Sequence, residues 1–166
     1  MDTYRAIVTK RDTRTFEDGP VDEDDLRKIL EAARMAGSAK NEQVNRLVVV
    51  TDAGDRERLS QCGKLAGWIA GAPVVIAFAV PAEGGRPFDY GRMAQNMMVM
   101  ANSLGLASCP MTFHDADCAR EVLGLPDDVT APMGVAVGRP GAADPDRESS
   151  PRVPVDDLVH WGRWSG

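Results

Sequence analysis

The run Pro73-Val74-Val75-Ile76-Ala77-Phe78-Ala79-Val80 is the longest unbroken apolar stretch in the chain. It is far too short to cross a bilayer. It does not alternate apolar with polar residues, so as a strand it is expected to be buried on both faces. A strand of that kind needs a covering layer on each side.

The flanking sequence supplies those layers mainly as helices. Asp2 or Thr3 can cap a short helix carrying Tyr4, Ile7 and Val8, running up to Arg11. Pro20-Val21-Asp22 opens a stronger one, with Leu26, Ile29, Leu30 and Ala33 at helical spacing and Gly37 as the stop. Leu47 to Thr51 reads as a strand, and Asp52 to Asp55 turns into a polar helix expected to reach about Ala70. After a Gly/Pro-rich loop, Asp89 is the expected cap of a Met-rich helix from Gly91 to Leu104, buried nearly all round. Asp115 caps a helix ending at Gly124, and Val135 to Val137 lies in another strand. Residues 141–150 read as a polar loop or extended arm, and Val155 to Trp164 as a last amphipathic turn or two. With three or four strands among dominant helices, the fold class is α+β, in one domain over residues 1–166.

Composition narrows the function. A formal net charge of -6 argues against a nucleic-acid partner. No membrane span or signal-peptide pattern is seen, and a cytoplasmic protein is expected. Cys62, Cys109 and Cys118 are odd in number and form no CxxC pair, which fits a reducing compartment better than a disulfide scaffold or a zinc site. No GxGxxG, GxxxxGK or GxSxG occurs. In His114-Asp115-Ala116-Asp117-Cys118, capping explains Asp115 better than metal binding does, so no metal is expected.

Four polar islands remain. Lys10-Arg11-Asp12-Thr13-Arg14-Thr15-Phe16 concentrates positive charge in an acidic chain, which suits a small anion, although a solvated helix end also explains it. Gly37-Ser38-Ala39-Lys40-Asn41-Glu42-Gln43 offers N–H, hydroxyl and amide groups to a heterocycle or phosphate, or is a plain connector. Gln61-Cys62-Gly63-Lys64 holds a lysine that a solvated helix accommodates without any ligand. Arg152 sits between Pro151 and Val153-Pro154, where a rigid segment can fix its guanidinium, or where it is simply a surface arginine.

In order and spacing these islands resemble the FMN-dependent nitroreductases. Arg11-Asp12-Thr13-Arg14-Thr15-Phe16 is similar to that family's opening Arg-Ser-x-Arg-x-Phe, and Gly37 to Gln43 to its Pro-Ser-Ala-x-Asn-x-Gln segment. Ala72 to Ile76, Asp89 to Met98, Leu104 to Ser108, Val122 to Pro126, Val137 to Pro140 and Val159 to Trp164 continue the pattern. Asp12 stands where the family favours serine, and Val44-Asn45 where Pro-Trp is typical. A carboxylate at position 12 must turn away from a phosphate or pair with Arg11 or Arg14.

The resemblance implies an α/β/α sandwich with a mainly antiparallel central sheet flanked by helices. It implies an intertwined homodimer with FMN at the subunit interface. By position, Arg11 and Arg14, flanking Asp12 and joined by Arg152, would hold the phosphate. Ser38, Ala39 and Asn41 would come from the second subunit. Pro110, Met111 and Thr112 would line the isoalloxazine, with Gln61 and Lys64 near its pyrimidine side. No side chain need act as a nucleophile, because flavin N5 would pass hydride from NAD(P)H to a small electron-poor acceptor of the nitroaromatic or quinone type. A flavin carrier or sensor and a cofactor-free dimeric module are the alternatives on the same fold.

Overall fold

The computed structural model of the chain describes residues 1–142 and 151–164. Its central strand is β2 (Val74–Pro81), and residues 74–80 are buried throughout. On one side β2 pairs with β1 (Arg46–Val50), Val75 opposite Val50. On the other it pairs with β5 (Met133–Gly138), Ala77 opposite Gly134. β3 (Ala107–Thr112) lies outside β5, and the two-residue β4 (Val129–Thr130) pairs with the far end of β2. Every pairing is antiparallel, and the main order is β1-β2-β5-β3.

The strand's period of two divides its apolar run between two cores. Val74, Ile76, Phe78 and Val80 face α2 (Glu23–Arg34) and α4 (Pro87–Ser103), packing with Ile29, Ala33, Met97 and Ala101. Val75 and Ala77 join the opposite core with Leu59 of α3 (Ala53–Gln61), Ile69 and Ala119 of α5 (Ala116–Leu123). The result is the α/β/α arrangement that the family resemblance implied, with the sheet as the middle layer.

Local signals set most helix ends. Asp2 caps α1 (Thr3–Thr9), Asp22 caps α2, Asp52 caps α3 and Asp115 caps α5, each carboxylate accepting from backbone N–H groups of the first turn. Gly124 closes α5 in the left-handed region at φ 63°.

Four expectations are corrected. Asp89 does not cap the Met-rich helix, which begins two residues earlier at Pro87 and encloses it, 4% exposed. The polar helix does not run to Ala70. It ends at Gln61, and Cys62–Ala66 forms a turn before a 3-10 segment at Gly67–Gly71. There Gly63 packs so tightly on β3 that a Cβ would lie 2.6 Å from the Thr112 carbonyl oxygen. The strands number five among the described residues, because β3 and β4 carry no clear alternation and β3 contains Pro110. Finally, Cys62 and Cys118 are bonded as a disulfide, leaving Cys109 free and buried. Their separation of 56 residues gives no local motif, and only the docking of α3's end on α5 brings them together.

The apolar face expected of α1 is present but uncovered: Tyr4, Ile7 and Val8 are exposed and only Ala6 is buried. The last amphipathic segment gives a single turn, α6 (Val155–Leu158). Residues 143–150, most of the expected polar arm, lie outside the described residues. Among the described residues no helix is long and apolar enough to cross a membrane.

Phe78 is fully buried and packs against Tyr90 with ring centroids 6.0 Å apart. Phe78→Ala is expected to cost about 3–5 kcal/mol, read as a lower urea midpoint, because the cavity left behind sits between two layers.

Candidate functional site

Residues 12–16 run alongside the sheet rather than away from it. Asp12 bridges Ser108 of β3, Thr13 N–H donates to the Ser108 carbonyl at 3.2 Å, and Phe16 bridges Pro140. The charged run is therefore held against an edge strand, and each of its charges has a defined place. Asp12 pairs with the Lys10 ammonium rather than with either arginine. Arg11 Nη1 donates to the Val8 and Lys10 carbonyls at 2.9 and 2.8 Å, closing the C-terminus of α1. Arg14 lies over the Trp68 ring, 5.7 Å from its centroid, and Trp68 stacks with Phe16 at 6.3 Å. Beneath it, burial pushes the Cys109 thiol above its ordinary range, opposed chiefly by a hydrogen bond with Arg14.

Arg14 opens onto a cavity of about 220 Å3 lined also by Leu65, Trp68, Pro110, Met111, Thr112, His114 and Met133. β3 supplies the floor, and the turn after α3 supplies one wall. Its chemistry is a cationic end, an apolar and aromatic wall, and an imidazole. Of the positions singled out from sequence, Arg14, Pro110, Met111 and Thr112 meet here. Arg11 and Asp12 are adjacent in the chain but do not line the cavity, nor do Gln61, exposed at the end of α3, and Lys64, exposed on the turn that follows. Lys64 N–H donates to His114 Nδ1 at 3.4 Å. Arg152 is exposed and does not line the cavity. Leu65, Trp68, His114 and Met133 were not anticipated. Trp68 carried the best signal, one of three tryptophans, placed beside an island already singled out.

The Ser38 island belongs to a separate cavity of about 280 Å3, which includes Ser38, Gln43, Asn45, Asp89 and Met93. The turn is held open by α4. Asp89 Oδ2 accepts from Ala39 N–H at 3.1 Å, Arg92 donates to the Gly37 carbonyl at 2.8 Å, and Arg86 donates to the Ala39 carbonyl at 3.1 Å and pairs with Glu42 at 2.6 Å. A Cβ at Gly37 would lie 2.8 Å from the Arg92 guanidinium, so a larger residue there would displace that side chain from the clamp. Lys40, Asn41 and Gln43 all take positive φ, 53°, 57° and 48°, so the turn carries strain that α4 maintains. Asn45 is buried with its Oδ1 unpartnered, while its Nδ2 faces Met93 Sδ at 3.9 Å.

The chain matches the model of the nitroreductase family over residues 7–62 and 53–139, which together cover most of its length. It belongs to that family. An NADH dehydrogenase of Thermus thermophilus is 28% identical over 200 residues, spanning 97% of this chain and 96% of that protein. Nitroreductase A of Vibrio parahaemolyticus superposes with a TM-score of 0.86 at 27% identity, covering 100% of this chain and 78% of that one. The NADPH:FMN oxidoreductase of Vibrio harveyi, solved as a complex with NAD+, gives 0.85 at 26% identity, covering 99% and 78%.

The Asp89 contact yields a direct test. Asp89→Leu leaves the Ala39 N–H without its acceptor and is expected to cost about 1–3 kcal/mol, with faster amide exchange across residues 38–43. Asp89→Asn, which keeps an acceptor oxygen, should lose less. Equal losses would show that the carboxylate acts only by filling space.

Proposed function

We propose that this chain is an FMN-dependent oxidoreductase taking electrons from NAD(P)H and delivering them to a small electron-poor acceptor of the nitroaromatic or quinone type. The observation that carries the reading is the convergence of Arg14, Trp68 and the β3 segment Pro110–Thr112 on one cavity, in a chain of the nitroreductase family. The Vibrio harveyi relative's FMN and nicotinamide chemistry supports it.

The residues present fit the cofactor. Arg14 offers a permanently charged guanidinium to a phosphate, held in place by Trp68. Arg11 would join it by exchanging carbonyl partners for phosphate oxygens, and Arg152 would approach from the C-terminal segment. The carboxylate of Asp12, the one group in the run that would repel a phosphate, is matched by Lys10. Leu65, Trp68 and Met133 would exclude water from one side of a flat ring. The floor is backbone and apolar side chain. Lys64 and Gln61 would act from the rim.

FMN, when bound, supplies the hydride chemistry at N5; the protein's part is to hold donor and acceptor in turn at one place. No side chain is assigned as a nucleophile. The cavity belongs to a homodimer in this reading, with Ser38, Ala39 and Asn41 of one subunit completing the site of the other. Two features support that assembly: the strained turn faces a different cavity from Arg14, and both ends of the chain expose apolar residues. Tyr4, Trp161 and Trp164 are each more than three-quarters exposed, an arrangement that a partner surface explains.

Purified protein is expected to be yellow or to take up added FMN, and to bleach anaerobically with NADH or NADPH. A colourless protein that refuses FMN would sink the proposal; a yellow one that neither nicotinamide bleaches would be a carrier or sensor. Arg11→Ala with Arg14→Ala is expected to weaken FMN binding by about 100-fold or more, each lost charge-assisted contact being worth roughly 1.5–3 kcal/mol. Unchanged affinity in a folded double variant would place the phosphate elsewhere.

A further inference from the structure

The Cys62–Cys118 disulfide ties together two elements that form the cavity. Cys62 directly follows α3, and Cys118 lies in the first turn of α5, just after the segment carrying Thr112 and His114. Three further contacts run across the same seam. Asp115 N–H donates to the Cys62 carbonyl at 3.0 Å, Lys64 N–H to His114 Nδ1 at 3.4 Å, and Gly63 packs against the Thr112 carbonyl too closely for a Cβ. Leu65 and Trp68, which follow in the chain, line the cavity together with Thr112 and His114. The covalent bond therefore joins the base of the Leu65–Trp68 wall to the first turn of α5.

We propose that Cys62–Cys118 is a thiol–disulfide modification site that sets the affinity of the cavity for its flavin, the oxidised form holding the Leu65–Trp68 wall against β3 and the reduced form releasing it. The inference rests on the reading of this cavity as the flavin site. The reductant it takes is a small dithiol. Cys62 is only 1% exposed, whereas Cys118 is partly exposed, so attack falls on Cys118 Sγ. One thiolate of the dithiol bonds to Cys118 Sγ as the bond to Cys62 breaks, and Cys62 leaves as a thiolate that takes up a proton. The second thiol of the reagent then displaces Cys118, which is protonated in turn. Two electrons pass to the protein, and the reagent is released as its own disulfide. Cys109, buried and with its thiol pushed up by burial, stays outside the exchange.

The test uses the full-length wild-type chain, with thiols counted by alkylation and mass spectrometry and FMN affinity by quenching of flavin fluorescence. Dithiothreitol is expected to raise the free thiols from Cys109 alone to all three cysteines. FMN affinity should fall about tenfold, as expected for a binding site that must re-order a few side chains. Reoxidation should restore it. Cys118→Ser should show the weaker affinity with or without dithiothreitol. Two new thiols with unchanged affinity would overturn the proposal, as would three free thiols in the air-oxidised protein. If neither form binds FMN, the flavin reading fails by itself. Amide exchange at Leu65–Trp68 then judges the clamp: faster exchange on reduction supports a redox-set wall, and identical exchange overturns it.

Discussion

Burial of β2 on both faces governs where everything else can lie. Its eight residues span a sheet whose two sides must be closed by helices, and its register with β5 fixes how closely the next strand approaches. Gly134 sits opposite Ala77, where a Cβ would lie 3.0 Å from the Ile76 carbonyl and 2.9 Å from Met111 Sδ. The missing side chain lets Met111 of β3 lie down over β5. The cavity floor is therefore set from the neighbouring strand, and a larger residue at 134 would displace Met111 from its place over β5.

The charges follow from that scaffold. An acidic chain can present a local cation only where its own carboxylates are kept occupied. Docking residues 12–14 on the edge of β3 turns Asp12 towards Lys10, and the end of α1 draws Arg11 onto free carbonyls. What faces the cavity is Arg14, lying over the Trp68 ring. It lies over a π-face, and among the described residues no carboxylate pairs with it. That is the arrangement an anion-binding guanidinium needs.

The elements most legible in the sequence are those fixed by local chemistry. Asp22, Asp52 and Asp115 announced their helices, Gly124 announced a stop, and the apolar run announced a strand between two layers. β3 was not legible, because Ala-Ser-Cys-Pro-Met-Thr has no period and is a strand only through its pairing with β5. Asp89 misled for a related reason. An aspartate before an apolar periodic run has the pattern of a cap, but Pro87 at the start of α4 already began the helix, and the carboxylate serves a turn 50 residues away. The disulfide and the Trp68 wall share this character. Contacts between elements distant in sequence leave no spacing to read, whereas Arg14 and residues 110–112, singled out through the family pattern, line one cavity.

The strained turn at Ser38–Gln43 bears on how a complete site is built. Three non-glycine residues at positive φ would relax if nothing opposed them, yet α4 spends Arg86, Asp89 and Arg92 on holding the turn. Within the chain Asp89 Oδ2 takes the Ala39 N–H and Ser38 Oγ takes the Gln43 N–H, and the Arg14 cavity is a separate space. In the proposed dimer the turn would meet a ligand held by the other chain. The uncovered apolar faces of α1 and of the C-terminal segment point the same way, because both would be costly on a monomer. In the proposed dimer a second copy would cover the exposed tryptophans of the C-terminal segment and bring the rigid turn to its partner's cavity, so that the site would be divided between two subunits rather than completed within one.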